Sequence, residues 1–439
     1  MSVRLGRSSF MRPDTAGKMF GEASTTMPTS ATHGLTAASG FGALMTALLI
    51  LHGLHPFGND MVASVLFAMA MTAAGIAVPD ILWQKVHRRA STGLDFAVAS
   101  PSWSRTGCKL YGLATTLALV AGLYWLFPEY QGAFYLPYYH LLWKVLPYWL
   151  VLAVPYFYLI DRHIVNPQDG YWHLGKLATF QWELVDRHIV CQHVLGWLIK
   201  GFFLPLMIVY FCQNMEKFMN VDFSALTIFR LLYDFLFDSV YMVDVALASV
   251  GYLVSLRVTD SHLRSAESTM LGWTAALVCY EPFWSLIGSK YFSYGTGYVW
   301  GEWLWDRPVF YCLWGSGILM LSGIYVWATA IFGARFSNLT NRGIITNGPY
   351  RWTKHPAYLT KNLSWWMISI PFLTQGTPDE ALRHCLLLLG LNGIYLLRAK
   401  TEEWHLSRDP DYVLYAQWIE QHGLFSWARP LPACTIRRP

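Results

Sequence analysis

A short cationic stretch near the C-terminus holds the residues best suited to bind a small charged ligand. Residues 345–362 read ITNGPYRWTKHPAYLTKN and place Lys354 and His355 between two strongly apolar segments. The Gly-Pro pair at 348–349 prevents a continuous helix and requires a turn, whereas Pro356 suits the first turn of a new helix. Because free backbone N–H groups at a helix start attract anions, we predict that this stretch receives an anionic group. We call residues 345–355 the motif loop.

A pair of acids further along the chain supplies the opposite charge. Glu402 and Glu403 lie in the segment RAKTEEWHLSRDPDYVLYAQW, which also contains Trp404, Tyr412 and Tyr415. A ligand with a carboxylate, an amine and a flat ring would find a partner for each part, and S-adenosylmethionine is such a ligand. We therefore predict that the motif loop and the acid pair fold back on each other to enclose one small zwitterion.

Other acids lie inside apolar segments. In FRLLYDFLFDSVYMVDVALASVGYL, Asp234 and Asp238 follow Arg230 at i+4 and i+8 and therefore share one helix face. A charge at the centre of a bilayer costs roughly 2.5–3.5 kcal/mol, so such groups are functional candidates. Two interpretations remain open: a proton or cation relay, and polar contacts that hold the helices together. The polar candidates in or beside the apolar segments are Asp234, Asp238, Asp244, His262 and Glu281.

The elements that must position these groups are membrane-spanning helices. Hydrophobic residues make up 54% of the 439 residues and charged residues 13%, against about 25% charged residues in soluble domains. The 21 Trp, 25 Tyr and 25 Phe residues suit bilayer interfaces. The predicted fold is all-α, a polytopic membrane bundle of about ten spans of roughly 20 residues each. The predicted spans are 35–54, 61–82, 110–127, 143–160, 194–212, 228–256, 269–288, 308–332, 358–374 and 381–397, of which the last two could instead form a re-entrant pair.

Lys and Arg residues concentrate in alternate loops, which the positive-inside rule assigns to the cytoplasm together with both termini and the 335–357 loop. The predicted organisation is a disordered tail at 1–34, a transmembrane bundle at 35–332, a C-terminal module at 333–427 and a tail at 428–439. The net charge of +5 gives no support for nucleic-acid binding.

Metal and disulfide signals are weak. The seven cysteines contain no CxxC pair, which favours reduced thiols. The sequence DRHIV occurs at 161–165 and again at 186–190, with further histidines nearby. The spacing is not that of a metal site on one helix face, so we predict no metal and interpret this segment as a polar loop.

The C-terminal segment resembles a known family. Gly348-Pro349-Tyr350-Arg351, Lys354-His355-Pro356, Tyr358, Glu402-Glu403, Leu406 and the two later tyrosines are similar, through about 333–427, to the C-terminal signature of isoprenylcysteine carboxyl methyltransferases. The wider group includes phospholipid N-methyltransferases and sterol C14 reductases. This resemblance implies S-adenosylmethionine bound at the cytoplasmic face and a lipid-like substrate that enters from the bilayer.

The resemblance also assigns residues. The implied cofactor-binding residues are Gly348, Tyr350, Arg351, Lys354, His355, Tyr358, Glu402 and Glu403. Trp418 stands where these methyltransferases usually carry an arginine associated with the substrate carboxylate, which leaves Arg398 and Arg408 as candidates for that role.

Two alternative functions remain open. The first is a reductase that uses NADPH, with Arg342, Arg351 and Lys361 available for the 2′-phosphate. The second is a transporter that uses the intramembrane acids as a proton or cation relay.

Overall fold

The structure, a computed structural model, describes residues 26–295 and 297–427. Residues 1–25 and 428–439, on which most of the two predicted tails fall, lie outside the described residues. The described chain is mostly helical, and its two short strands pair in one antiparallel ladder. The helices are α1 (Gly34–Leu54), α2 (Met61–Leu82), α3 (Trp103–Leu126), α4 (Leu136–Asp161), α5 (Gly170–Ala178), α6 (Arg187–Met219), α7 (Phe229–Leu253), α8 (Met270–Leu277), α9 (Ser289–Tyr291), α10 (Trp300–Trp303), α11 (Pro308–Ala330), α12 (Pro356–Ser369), α13 (Pro378–Leu406) and α14 (Pro410–His422), and the strands are β1 (Ser265–Ala266) and β2 (Thr340–Asn341).

Seven helices of the described chain are long and apolar enough to cross a membrane, namely α1, α2, α3, α4, α6, α11 and α13. Each coincides with one of the predicted spans. These helices support an integral membrane protein. The side of the membrane on which each loop and terminus lies stays a prediction.

Three predicted spans differ from the expectation of about ten continuous spans. The 228–256 run does form a helix, α7, which contains four charged residues and is not one of the seven. The 269–288 run is interrupted: α8 ends at Leu277 and a π-helical turn follows at Trp284–Gly288. Pro282 has no backbone N–H and cannot continue the helix between them. The 358–374 run forms α12, whose 14 residues extend only about 21 Å. Ile370 ends this helix because Pro371 follows it.

The packed core lies mainly between α6 and α7. Large side chains such as Phe203, Leu206 and Phe211 on α6 and Tyr252 on α7 are fully buried there. Elsewhere, small residues allow backbones to touch. A Cβ at Gly112 of α3 would lie 1.9 Å from the carbonyl oxygen of Tyr171 on α5. Glycine is therefore required at this helix crossing, as at other close crossings in membranes.

A buried arginine joins the loops at one end of the bundle. The Arg335 side chain is 0% exposed and lies 3.5 Å from Asp80 of α2 and 3.4 Å from Asp260 in the loop before β1. Asp260 also accepts a hydrogen bond from Ser91 at 2.9 Å. The loops that were predicted to share one side of the membrane therefore meet in space.

The end of the predicted N-terminal tail packs against the motif loop. The backbone N–H of Ala31 donates to Ile344 at 2.9 Å, and the Thr346 hydroxyl donates to the carbonyl of Pro28 at 2.9 Å. The Asn347 side chain donates to the carbonyl of Thr32 at 2.9 Å. Within the predicted tail, residues 28–32 are therefore held by hydrogen bonds to a distant loop.

The two DRHIV copies adopt different structures. The first ends α4, where Asp161 accepts a hydrogen bond from Arg105 Nε at 2.6 Å. The second begins α6, where Asp186 accepts from the backbone N–H of His188 at 2.8 Å and caps the helix. The two identical five-residue sequences are therefore not copies of one structural repeat.

Candidate functional site

The motif loop and the end of α13 are in direct contact. His355 Nε2 lies 3.1 Å from Glu403 Oε1, and Lys354 Nζ lies 3.1 Å from the same oxygen. Pro356 starts α12 immediately after this pair. The predicted juxtaposition of the cationic loop and the acid pair is confirmed. That these residues bind a ligand stays a prediction.

Glu403 already has partners on both carboxylate oxygens. In addition to Lys354 and His355 at Oε1, Lys400 Nζ lies 2.9 Å from Oε2. A zwitterion held between the motif loop and α13 would therefore replace some of these contacts. Lys400 was missed as a site residue, because a lysine three residues before a glutamate is common on exposed helix faces.

Glu402 has more capacity to bind a ligand. Its Oε2 accepts a hydrogen bond from the Tyr358 hydroxyl at 2.9 Å, and its Oε1 accepts none from the described residues. The Tyr358 ring lies parallel to the His355 ring, with centroids 5.5 Å apart. Tyr412 is buried, and its hydroxyl has no hydrogen-bond partner in the described chain. Burial and the charges of Glu403 and Glu402 raise the pKa of Tyr412, so it stays protonated. We call Glu402, Tyr358 and Tyr412 the polar patch. Among the described residues, Glu402 Oε1 has no hydrogen-bond donor and the Tyr412 hydroxyl has no partner.

Of the two predicted arginines, Arg398 lies beside this patch. Arg398 is buried, precedes Glu402 by one helical turn and lies 5.2 Å from the Tyr358 ring centroid. Its Nη2 donates to Asn338 Oδ1 at 2.5 Å, and the guanidinium has no carboxylate partner in the described chain. The Arg408 side chain is exposed. Arg398 is therefore the better placed cation for a substrate anion.

The remaining motif residues support the loop. Gly348 has a φ of +57°, and a Cβ there would lie 3.2 Å from Ile331. The carbonyl of Tyr350 accepts a hydrogen bond from the Tyr415 hydroxyl at 2.8 Å. Burial raises the pKa of Tyr415, which keeps this donor protonated. Arg351 is exposed.

The polar candidates of the apolar segments do not form one chain. Asp244 is buried and accepts hydrogen bonds from Tyr325 at 2.5 Å and Thr329 at 2.7 Å. Asp238 is exposed and lies 3.3 Å from Lys217. Both acids therefore have partners within the described chain, and a relay role for them stays a prediction.

The other candidates lie apart from these two. Asp234 is exposed. Glu281 accepts a hydrogen bond from the backbone N–H of Ser285 at 3.2 Å. His262 lies in the loop before β1, outside the membrane-spanning helices.

The three cations considered for NADPH share no partner. Arg342 is buried and bonds backbone carbonyls, including that of Ser261 at 2.6 Å. Lys361 lies 5.0 Å from the Tyr325 ring centroid, and Arg351 is exposed.

Comparison with known proteins shows that part of this chain is similar to a known family. Residues 312–408 match the isoprenylcysteine carboxyl methyltransferase (ICMT) family. The matched segment, called the ICMT-like segment below, contains most of α11, all of α12, the motif loop and the acid pair. It confirms the resemblance for the C-terminal part of the chain and indicates a membrane methyltransferase. No curated protein and no solved structure matches the chain.

Proposed function

We propose that the protein is an integral-membrane methyltransferase that uses S-adenosylmethionine to methylate a hydrophobic, lipid-like substrate at the cytoplasmic face. The contact between the motif loop and the acid pair, inside the ICMT-like segment, supports this proposal. The free oxygen of Glu402 and the unpartnered hydroxyl of Tyr412 are suited to the polar end of such a cofactor.

In this function, each residue of the candidate site has a defined role in binding the cofactor or the substrate. Glu402 binds the amino group of the cofactor, and Lys354 and His355 bind its carboxylate after separating from Glu403. The cofactor supplies an electrophilic methyl group when it is bound. The chain contributes orientation and exclusion of water rather than acid–base chemistry. Arg398 binds an anionic group of the substrate beside Tyr358.

A reductase is less well supported. A 2′-phosphate requires cations that converge, and Arg342 donates its N–H groups to neighbouring carbonyls and to Ser255. The acid pair would also repel the phosphates of NADPH.

The proposal is tested by titration calorimetry of the purified protein with S-adenosylhomocysteine and, separately, with NADPH. We expect S-adenosylhomocysteine to bind and NADPH not to bind. Glu402→Gln should weaken binding of S-adenosylhomocysteine about 10- to 100-fold, because a hydrogen bond to a charged group contributes about 1.5–3 kcal/mol.

Glu380→Gln is the matched control, since Glu380 lies in the first turn of the same helix, α13. This variant should bind like the unmodified protein. Absence of binding to the unmodified protein, or equal weakening by the two substitutions, would contradict the proposal.

A further inference from the structure

A cavity of about 720 Å³ lies among α4, α6 and the loops at their ends. Its volume is in the range of sites for small organic ligands. None of its lining residues belongs to the candidate site around His355 and Glu403. The ICMT-like segment contributes only Ser337, Thr340 and Arg342 to it. The cavity is therefore a separate feature, formed mainly by the N-terminal part of the described chain.

One wall of the cavity is apolar and aromatic. Trp149, Tyr156 and Phe157 of α4 line it, together with Trp197 of α6. The lining residues of α4 extend from Trp149 to Ile160, which is about three helical turns. This wall can hold the apolar chain of a lipid-like molecule.

Three lining cations have no carboxylate partner in the described chain. Arg342 is buried and directs Nε and both Nη atoms to carbonyls and to the Ser255 hydroxyl, all neutral groups. Arg257 Nη1 donates to the carbonyl of Thr92 at 2.9 Å. Lys200 lies within the membrane-spanning helix α6, where its ammonium is 5.1 Å from the Trp197 ring centroid. A charge inside a span without a counter-ion indicates a function.

The two acids that line the cavity do not neutralise these cations. Lys109 lies 2.7 Å from both Asp161 and Asp169, and Arg105 lies 2.6 Å from Asp161. The acids are therefore paired with their own cations. Arg257 and Arg342 therefore leave the cavity with positive charge that no acid compensates, and Lys200 adds a buried amine to it.

Unsatisfied polar atoms mark the loop side of the cavity. His262 Nδ1, Arg264 Nε and Thr340 Oγ1 are buried and have no hydrogen-bond partner in the described chain. Burial and the neighbouring arginines lower the pKa of His262 to about 3, so its imidazole is neutral at pH 7. Buried donors normally have acceptors, and an anionic ligand would supply acceptors to the Arg264 Nε–H and to the Thr340 hydroxyl.

We propose that this cavity binds an amphiphile that has an anionic head, either a phosphate or a carboxylate, and an apolar chain. The head contacts Lys200 and Arg257, and the chain lies along the aromatic wall of α4. A bilayer phospholipid carries the first kind of head, and a lipid-like acid carries the second. This binding does not depend on methyl transfer.

Native mass spectrometry of the full-length protein in detergent tests the proposal with three probes that share one oleoyl chain. These are oleoyl lysophosphatidic acid, oleate and the uncharged monoolein. We expect the two anions to bind at least tenfold more tightly than monoolein, because a hydrogen bond to a charged group contributes about 1.5–3 kcal/mol. Lys200→Gln and Arg257→Gln should each weaken binding of the preferred anion by about tenfold or more.

Lys217→Gln is the matched control, because Lys217 lies on the same helix, has a side chain that is 63% exposed and is absent from the cavity lining. It should leave binding unchanged. Tighter binding of lysophosphatidic acid would identify a phosphate head, and tighter binding of oleate a carboxylate head. Equal binding of monoolein and the anions, or an equal effect of Lys200→Gln and Lys217→Gln, would overturn the proposal. Thermal unfolding of each variant in detergent verifies that it is folded.

Discussion

Two aspartates of α7 show how strongly the role of a residue depends on its surroundings. Asp244 is buried and accepts hydrogen bonds from Tyr325 and Thr329 of α11. Asp238 is 51% exposed, and its one ion pair among the described residues is with Lys217. The sequence places both acids in one apolar run and does not distinguish them, because the difference comes from the helix that packs against each one.

Substitution of these aspartates should therefore have unequal effects. Asp244→Ala removes the acceptor of two buried hydroxyls, and each unsatisfied group costs about 1–3 kcal/mol. Asp238→Ala removes an exposed ion pair that contributes about 0.2–1 kcal/mol. We expect Asp244→Ala to lower the midpoint of thermal unfolding in detergent clearly more than Asp238→Ala does. Equal shifts would show that Asp244 does not support the packing of α7 on α11.

In the candidate site, too, the sequence predicts some contacts of a residue and not others. The order of the motif in the sequence was enough to predict that His355 and Glu403 meet, because both groups flank one helical hairpin. It did not predict that Lys400 also binds Glu403, or that the Tyr412 hydroxyl lacks a partner among the residues that the structure describes. Those features depend on side-chain positions that no spacing rule fixes.

At the scale of elements, the length of an apolar run predicted where a helix forms, but it did not predict whether that helix is continuous. All seven helices that can cross a membrane coincide with apolar runs. The run at 269–288 was predicted to be one helix, although Pro282 lies within it and α8 ends at Leu277. Hydropathy measures average composition, and one proline changes that average little while it prevents a helical hydrogen bond.

Arg335 holds together the loops at one end of the bundle. Its partners, Asp80 and Asp260, lie far from it in the sequence. Arg335→Ala would leave Asp80 and Asp260 buried without this cation. Removal of one member of a buried charge network costs about 3–5 kcal/mol. We expect the variant to unfold at a clearly lower temperature in detergent, or to fail to fold.

Arg307→Ala serves as the control for this change, because the Arg307 side chain is 63% exposed and lies 4.0 Å from Asp306. It should unfold like the unmodified protein. A stable Arg335→Ala variant would show that the loops are held together by their backbone contacts instead.

At the scale of the whole molecule, contacts cross the predicted boundary between the bundle at 35–332 and the module at 333–427. Arg335 pairs with Asp80 and Asp260, and Arg342 bonds the carbonyls of Gly251 and Ser261. The sequence suggested a separate module because the family signature covers only the C-terminal part. The residues that a family signature covers need not be the residues that fold as one unit.

A fragment that begins at residue 308 should therefore not fold alone. It would expose Arg335 and Arg342 without the groups that bind them, so we expect aggregation on size-exclusion chromatography in detergent. Co-expression with residues 1–307 should restore a single species that elutes like the intact protein. A monodisperse fragment 308–439 would show that the C-terminal part is an independent domain.

The motif loop region contacts residues near both ends of the described chain. Residues 28–32 pair with 344–347 on this loop, and the backbone N–H of Leu424 donates to the carbonyl of Trp352 at 2.7 Å. Residues near both ends of the described chain thus contact the same loop, as the prediction that the two termini share one side of the membrane requires. We therefore expect reporter proteins fused at the N-terminus and at the C-terminus to lie in one compartment, and reporters found in different compartments would contradict this topology.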